Sequence, residues 1–349
     1  MKKFIIKHFI IFAPSVIVVL IPLYILLASG ELIYPPKIAD MNSIKAWRFA
    51  YSDPTRYIKF HIINKRKPKI IAFGTSTIMQ LRDYFFTDTS VFYNAGGMVK
   101  KVKDFNLFVN SLKYNPEVII ISLDHTFFNS HWDNGKHDYG SYFPNYNYDY
   151  FEHIYTYCFS KVFDDYQDGK IIFSLISNSQ DYVGLPAKIY KSGFRQDGSY
   201  QYPENQFCGT FQDTLDRIEN ANKRFEHGDR VNPLSIDTLD NFLQSCKKRK
   251  IHVVAFLPPF ANVVYNKLKT KQSDYIHIFN LKIEIDPLFK KYAYSVFDFR
   301  DITKFGSNDK EMLDGFHGSE KALYRIFIKM CERDTVLKKY GNTEITKEI

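Results

Sequence analysis

Ser76 is the residue best set, by type and surroundings, to act as a nucleophile. It follows Ile70-Ile71-Ala72-Phe73-Gly74-Thr75, an apolar run closing on glycine and hydroxyl residues, which reads as a buried strand giving way to a tight turn. Such a turn can present a serine where the next helix begins and leaves backbone N–H groups unpaired, facing an anion. A hydroxyl attacks only with a base beside it. Asp314-Gly315-Phe316-His317 supplies an acid and an imidazole three residues apart, a spacing one tight turn can close. Asn94-Ala95-Gly96-Gly97 adds an amide side chain and glycine N–H groups, donors suited to the negative oxygen of a tetrahedral intermediate. Asp298 and Asp301 are alternative partners for His317 if the last loop folds back.

These residues are far apart in sequence, so shared strand ends must bring them together. Lys69–Phe73, 91–93, 117–123, 251–257 and 294–298 are short apolar runs bounded by Pro, Gly or Asp. The run Val118-Ile119-Ile120-Ile121 is continuously apolar and β-branched, as in a strand covered on both faces. Helices are expected from Ile78 to Phe85, from Lys101 to Leu112 with Phe105, Phe108, Val109 and Leu112 on one face, from Ser235 through Cys246, and from Ser319 through Met330. Strands alternating with helices predict an open parallel α/β sheet with right-handed crossovers. Ser76, Asn94, Gly96, Gly97, Asp124 and Asp298 then fall toward one sheet edge, where α/β crevices form.

Residues 125–230 break that rhythm and read as a long insertion shaping access to the site, with a small separate domain as the alternative; helices are expected near 150–163 and 211–225, and 171–176 is an ambiguous apolar segment. The expected division is a cytoplasmic tip and membrane anchor over 1–30, a juxtamembrane connector over 31–67, the sheet domain with its insertion over 68–333, and a tail over 334–349 that adds little to the core. Lys2, Lys3 and Lys7 precede Phe9–Gly30, which holds no Asp, Glu, Lys or Arg and is long enough to cross a bilayer. The positive flank puts the N-terminus inside and the remainder outside; a cleaved signal peptide is the competing account, but no clear small-x-small cleavage site follows.

Of the 349 residues, 45% are hydrophobic and 17% aromatic, enough for a substantial core and against wholesale disorder. The formal charge of +9 suits anionic lipid or an acidic polymer. Its basic residues are dispersed; Lys65-Arg66-Lys67 and Lys247-Lys248-Arg249-Lys250 each precede an apolar strand, and no nucleic-acid-binding signature appears, so nucleic acid is not an expected partner. The four cysteines lack metal-ligand spacing; Cys158 with Cys208 is a candidate disulfide, and Cys246 reads as a buried thiol. His131, Asp133, His137 and Asp138 read as exposed loop polarity, with a metal site as the alternative. His252, inside an apolar strand, reads as structural. No cofactor or metal is expected.

In order and in expected strand placement, Gly74-Thr75-Ser76-Thr77, Asn94-Ala95-Gly96-Gly97 and Asp314-Gly315-Phe316-His317 resemble the first, second and last sequence blocks of the SGNH/GDSL hydrolase superfamily. With the N-terminal anchor, the chain is most similar to the membrane-anchored branch associated with acylation of bacterial envelope polysaccharide or teichoic acid. The resemblance covers about residues 68–333 and is loose from Thr126 to Arg230. It implies a three-layer α/β/α domain, Ser76 as nucleophile, His317 as base and acid, Asp314 as its orienting partner, and Asn94, Gly96, Gly97 and Asp124 as oxyanion-hole or site-organising residues. It further implies an acylated envelope glycan or teichoic acid as substrate and a multipass membrane acyltransferase as partner, with the domain outside the cytoplasmic membrane. An esterase removing acyl groups and a non-catalytic glycan-binding or acylation-complex scaffold are the alternatives. One block departs: where many members carry Gly-x-Asn-Asp, this chain has Ser122-Leu123-Asp124-His125. An ionised Asp124 cannot donate as that Asn does; it can organise the loop by accepting hydrogen bonds, and His125 is a candidate donor in the same block.

Overall fold

The computed structural model describes residues 2–41, 43–133, 146–166, 181–203 and 210–342. In chain order its main elements are α1 (Lys2–Ser29), β1 (Ile70–Gly74), β2 (Phe92–Gly96), α2 (Lys103–Ser111), β3 (Val118–Ser122), α3 (Tyr148–Tyr166), α4 (Gln212–Glu219), α5 (Pro233–Lys248), β4 (His252–Leu257), α6 (Asn262–Thr270), α7 (Ile276–Lys291), β5 (Ser295–Asp298) and α8 (Glu320–Arg333). The described residues of 1–61, 140–196 and 201–203 form one compact unit, and those of 62–139, 197–200 and 204–349 form the other.

The second unit is a mixed α/β domain around a five-stranded sheet ordered β2-β1-β3-β4-β5, every pairing parallel. Ala72 of β1 sits opposite Asn94 on one side and Ile120 on the other. Neighbouring strands therefore end level with one another. The strand order reverses between β1 and β3, and in open α/β sheets the crevice beyond the carboxyl ends at such a reversal is the usual ligand site.

Alternation along the strands divides the core between two faces. Ile70, Ala72, Val118, Ile120, Val254 and Phe256 share a cluster with Leu323, Ile326 and Phe327 of α8. On the opposite face the Phe73 ring meets Phe105 and Phe108 of α2, both at 5.1 Å between centroids, and Phe242 of α5 at 6.0 Å. Each such ring removes a large apolar surface from water, a stabilisation of about 1.5–3 kcal/mol per side chain. Gly74 is demanded by this packing, since a Cβ there would lie 2.9 Å from the Ser122 carbonyl oxygen.

Several local expectations change. No helix covers Ile78 to Phe85; the chain makes two short 3-10 turns, Ser76–Ile78 and Asp83–Phe85, because the buried Asn94 amide takes up the Ile78 and Leu81 carbonyls. Asn232, not Ser235, caps α5, accepting the Leu234 N–H with Pro233 in the first turn. The tail is not idle: Asp334 caps a turn that buries Leu337 completely, and Phe86 bridges to Gly341. His252 is structural as expected, its Nε2 2.9 Å from Asp334, and Cys246 is buried.

In the first unit, the stretch Ile11–Ser29 of α1 is long and apolar enough to cross a membrane. Near its end Ile25 and Leu26 pack with Tyr51, Leu185 and, on α3, Ile154 and Cys158. The Glu31 carboxylate accepts the backbone N–H groups of Ala50 and Leu185, at 3.0 and 2.7 Å. Those contacts gather the connector and residues 140–196 into one unit, where the sequence boundaries separate a connector (31–67) from an insertion (125–230). The segments 171–176 and Cys208, with its candidate bond to Cys158, lie outside the described residues.

Candidate functional site

Ser76 begins the 3-10 turn immediately after β1. Its Oγ lies 2.7 Å from His317 Nε2, and His317 Nδ1 lies 2.8 Å from Asp314 Oδ2. A carboxylate can only accept, so Nδ1 carries the ring proton and Nε2 presents its lone pair to the Ser76 hydroxyl. Burial would push the Asp314 carboxyl up, but the hydrogen bond from His317 and those from the backbone N–H groups of Phe316 and His317 outweigh it and hold the carboxyl below the ordinary range. Those two N–H groups reach Asp314 Oδ1 at 2.9 and 2.8 Å, so the turn itself fixes the acid. Asp298 grips Arg300 with both oxygens, at 2.8 and 2.6 Å, and Asp301 caps Thr303 at 3.1 Å. Asp314 is thus the acid beside His317.

Asn94, Gly96 and Gly97 are present but turned inward. Asn94 Nδ2 donates to the Ile78 and Leu81 carbonyls at 2.9 and 2.8 Å, its Oδ1 accepts the Gly96 N–H at 2.8 Å, and the Gly97 N–H donates to the Gly74 carbonyl at 2.9 Å. These groups brace the turn that carries Ser76; their hydrogen-bonding capacity is spent on backbone. Among the described residues no acceptor pairs with the Ser76 N–H, which leaves it as a donor beside its own hydroxyl.

Asp124, 1% exposed, follows β3 and organises the same turn. It accepts the Thr75 hydroxyl at 2.8 Å, the Thr126 N–H at 3.0 Å and the Thr126 hydroxyl at 2.9 Å. Burial raises its pKa, but nearby His125 and Arg224 together with these hydrogen bonds bring it down to about 2. Thr77 extends the network to Ser122 at 2.7 Å. His125 is not a substitute donor toward Ser76: its Nε2 lies 2.8 Å from the Arg224 carbonyl, which can only accept, so the ring donates there. Burial pushes its pKa down, against the opposing pull of the Asp124 carboxylate.

Thr75 was not legible as a site residue, and neither were Arg217, Arg224 and Phe316. The Phe316 ring lies 4.3 Å from that of His317, and both guanidinium groups approach Phe316. A lone arginine in a polar stretch carries no signal that separates it from surface charge. Among the described residues no group of three or more His, Cys, Asp and Glu is placed to hold a metal ion, and His137 and Asp138 lie outside them. No family model, curated protein or solved structure matches the chain.

Proposed function

We propose that this chain is a membrane-anchored, serine-dependent acyl-transfer enzyme of SGNH type, moving a small acyl group to or from a bacterial envelope glycan or teichoic acid. The observation that carries the reading is the unbroken relay from Ser76 through His317 to Asp314, both links under 3 Å, at the strand-order reversal of a parallel sheet. The three-layer SGNH arrangement agrees with helices packed on both sheet faces.

Ser76 Oγ attacks the acyl carbonyl carbon while His317 Nε2 takes the hydroxyl proton, and Asp314 holds the ring and stabilises the imidazolium. The carbonyl electron pair moves to oxygen, where the Ser76 N–H faces it. Collapse expels the donor alcohol, which leaves with the proton from His317. The acceptor hydroxyl then gives its proton to Nε2, attacks the acyl-serine, and Ser76 recovers its proton as the new ester departs. Hydrolysis differs only in that water is the acceptor. Lys2, Lys3 and Lys7 before an apolar span favour an outward-facing domain. Acyl donors made in the cytoplasm then require a multipass membrane partner.

A labelled acyl donor tests this in membranes of cells making the protein. Label moving to glycan or teichoic acid in the parent and not in Ser76→Ala supports transfer, and label released only as free acid supports the esterase alternative. Unchanged polymer acylation in Ser76→Ala cells removes the enzyme reading and leaves the scaffold.

A further inference from the structure

We propose that Arg224, with Arg217 against the same phenylalanine ring, forms a subsite next to the His317 turn for an anionic group with two charged oxygens, a phosphodiester or carboxylate of the acceptor polymer. This deepens the acyl-transfer reading and rests on it for the acceptor's role. The guanidinium carbons of Arg217 and Arg224 each lie 5.8 Å from the Phe316 ring centroid, and Phe316 precedes His317. The Arg224 carbon is also 6.0 Å from the Trp132 ring. Aromatic faces hold a guanidinium flat while leaving its in-plane donors available, the geometry that grips carboxylate and phosphate oxygens two at a time.

Those donors are only partly spent, and both side chains stay partly exposed, Arg224 by 30% and Arg217 by 25%. Arg224 Nη1 is sealed from solvent without a hydrogen bond, and Asp124 Oδ2, its nearest charged partner, is 3.8 Å away, beyond bonding distance. The Nε of Arg217 is likewise sealed and unpaired, while its Nη2 holds Asp213 at 2.5 Å. Neighbouring carboxylates have donors of their own: Asp124 has Thr75 and Thr126, Asp314 has His317, and Glu226 has the Trp132 indole at 2.6 Å and the Arg224 N–H at 3.1 Å.

The backbone carrying Arg224 is strained. Ala221, Lys223 and Arg224 have φ of 49°, 47° and 88°, three left-handed non-glycine residues among four. Such conformations cost about 1–3 kcal/mol each and persist where surroundings impose them. Here buried side chains do so: His125 donates to the Arg224 carbonyl, the Tyr275 hydroxyl faces the Ile218 and Phe225 carbonyls at 2.9 Å, and Asn129 donates to the Glu226 carbonyl at 2.8 Å. On the other side, Gly315 admits Thr214 of α4 so closely that a Cβ would sit 2.5 Å from it, which brings Arg217 to the turn bearing His317.

The test measures binding without turnover, by calorimetry on the full-length Ser76→Ala chain in detergent micelles. The probes are poly(glycerol phosphate), polygalacturonate and neutral dextran. One or both polyanions are expected to bind and dextran not; Arg224→Gln weakens binding about tenfold or more, Arg224→Lys by less, and Arg217→Gln by a few-fold. The polyanion held more tightly identifies the source of the anion. In the chain with both arginines intact, phenylglyoxal modification of Arg224, read by mass spectrometry, should be slowed by the bound polyanion, a readout that survives if a variant fails to fold. Equal binding by Arg224→Gln and its parent, no preference for either polyanion over dextran, or unprotected Arg224 each overturns the subsite. If Ser76 proves unreactive while Arg224-dependent binding persists, the acyl-transfer reading fails and the anion site stands.

Discussion

Ser76 Oγ and His317 Nε2, 241 positions apart in the chain, meet at 2.7 Å. The contact depends on two local devices, a glycine that lets β1 end hard against β3 and an acid turn that clamps the imidazole, and each can be perturbed separately.

Asp314→Asn keeps a polar group of the same size but offers the ring a mixed donor and acceptor. The Nδ1–H tautomer is no longer enforced, so acyl-serine formation should slow by about 10²- to 10⁴-fold with little change in thermal midpoint. Single-turnover acylation by an activated aryl ester reads the rate. A rate within twofold of the parent would remove Asp314 from the mechanism.

Gly74→Ala forces a Cβ to within 2.9 Å of a backbone oxygen on β3, at a φ of +158°. We expect a loss of about 1–3 kcal/mol from overpacking and strain, seen as a lower urea midpoint, together with slower acylation because the Ser76 turn shifts. A variant as stable and as fast as the parent would show that the strand ends tolerate separation.

The Asp124 carboxyl sits at about 2 in the folded chain, below its ordinary 3.8. A depressed carboxyl contributes stability that is fully present above about pH 4 and is lost as pH falls toward 2, worth about 2 kcal/mol at neutrality. Asp124→Asn should therefore melt lower than the parent at pH 7, with the gap narrowing between pH 4 and 2. A gap constant through that window would mean the ionised form is not what the site stabilises.

Leu337→Ala opens a cavity beneath the tail turn and should cost about 2–5 kcal/mol by chemical denaturation. A cost under 0.5 kcal/mol would make the tail as dispensable as the sequence implies.

The sheet was legible because its inner strands are buried on both faces and write themselves as unbroken apolar runs, Ile70 to Phe73 and Val118 to Ile121 most plainly. Ser76, Asp314 and His317 could be picked out because the chemistry proposed for them restricts residue type, and because one tight turn holds Asp314 three residues from His317. Asn94 could be picked out but not interpreted: the same amide that can face an oxyanion can also tie two carbonyls, and only long-range geometry decides. The helices α6 and α7 carry no clear sequence signal, because Pro287 within α7 and scattered lysines blur their periodicity. Arg224 was illegible because its position comes from His125, Tyr275 and Asn129, distant residues whose contacts with the 218–226 stretch no local pattern reveals.

The most direct measurement is treatment of the full-length protein with a serine-reactive fluorophosphonate, followed by peptide mass spectrometry. We expect one adduct, on Ser76, absent in Ser76→Ala and formed at least about 100-fold more slowly in His317→Ala. A folded protein that leaves Ser76 unmodified, or that labels it equally fast without His317, would show that the 2.7 Å contact activates nothing.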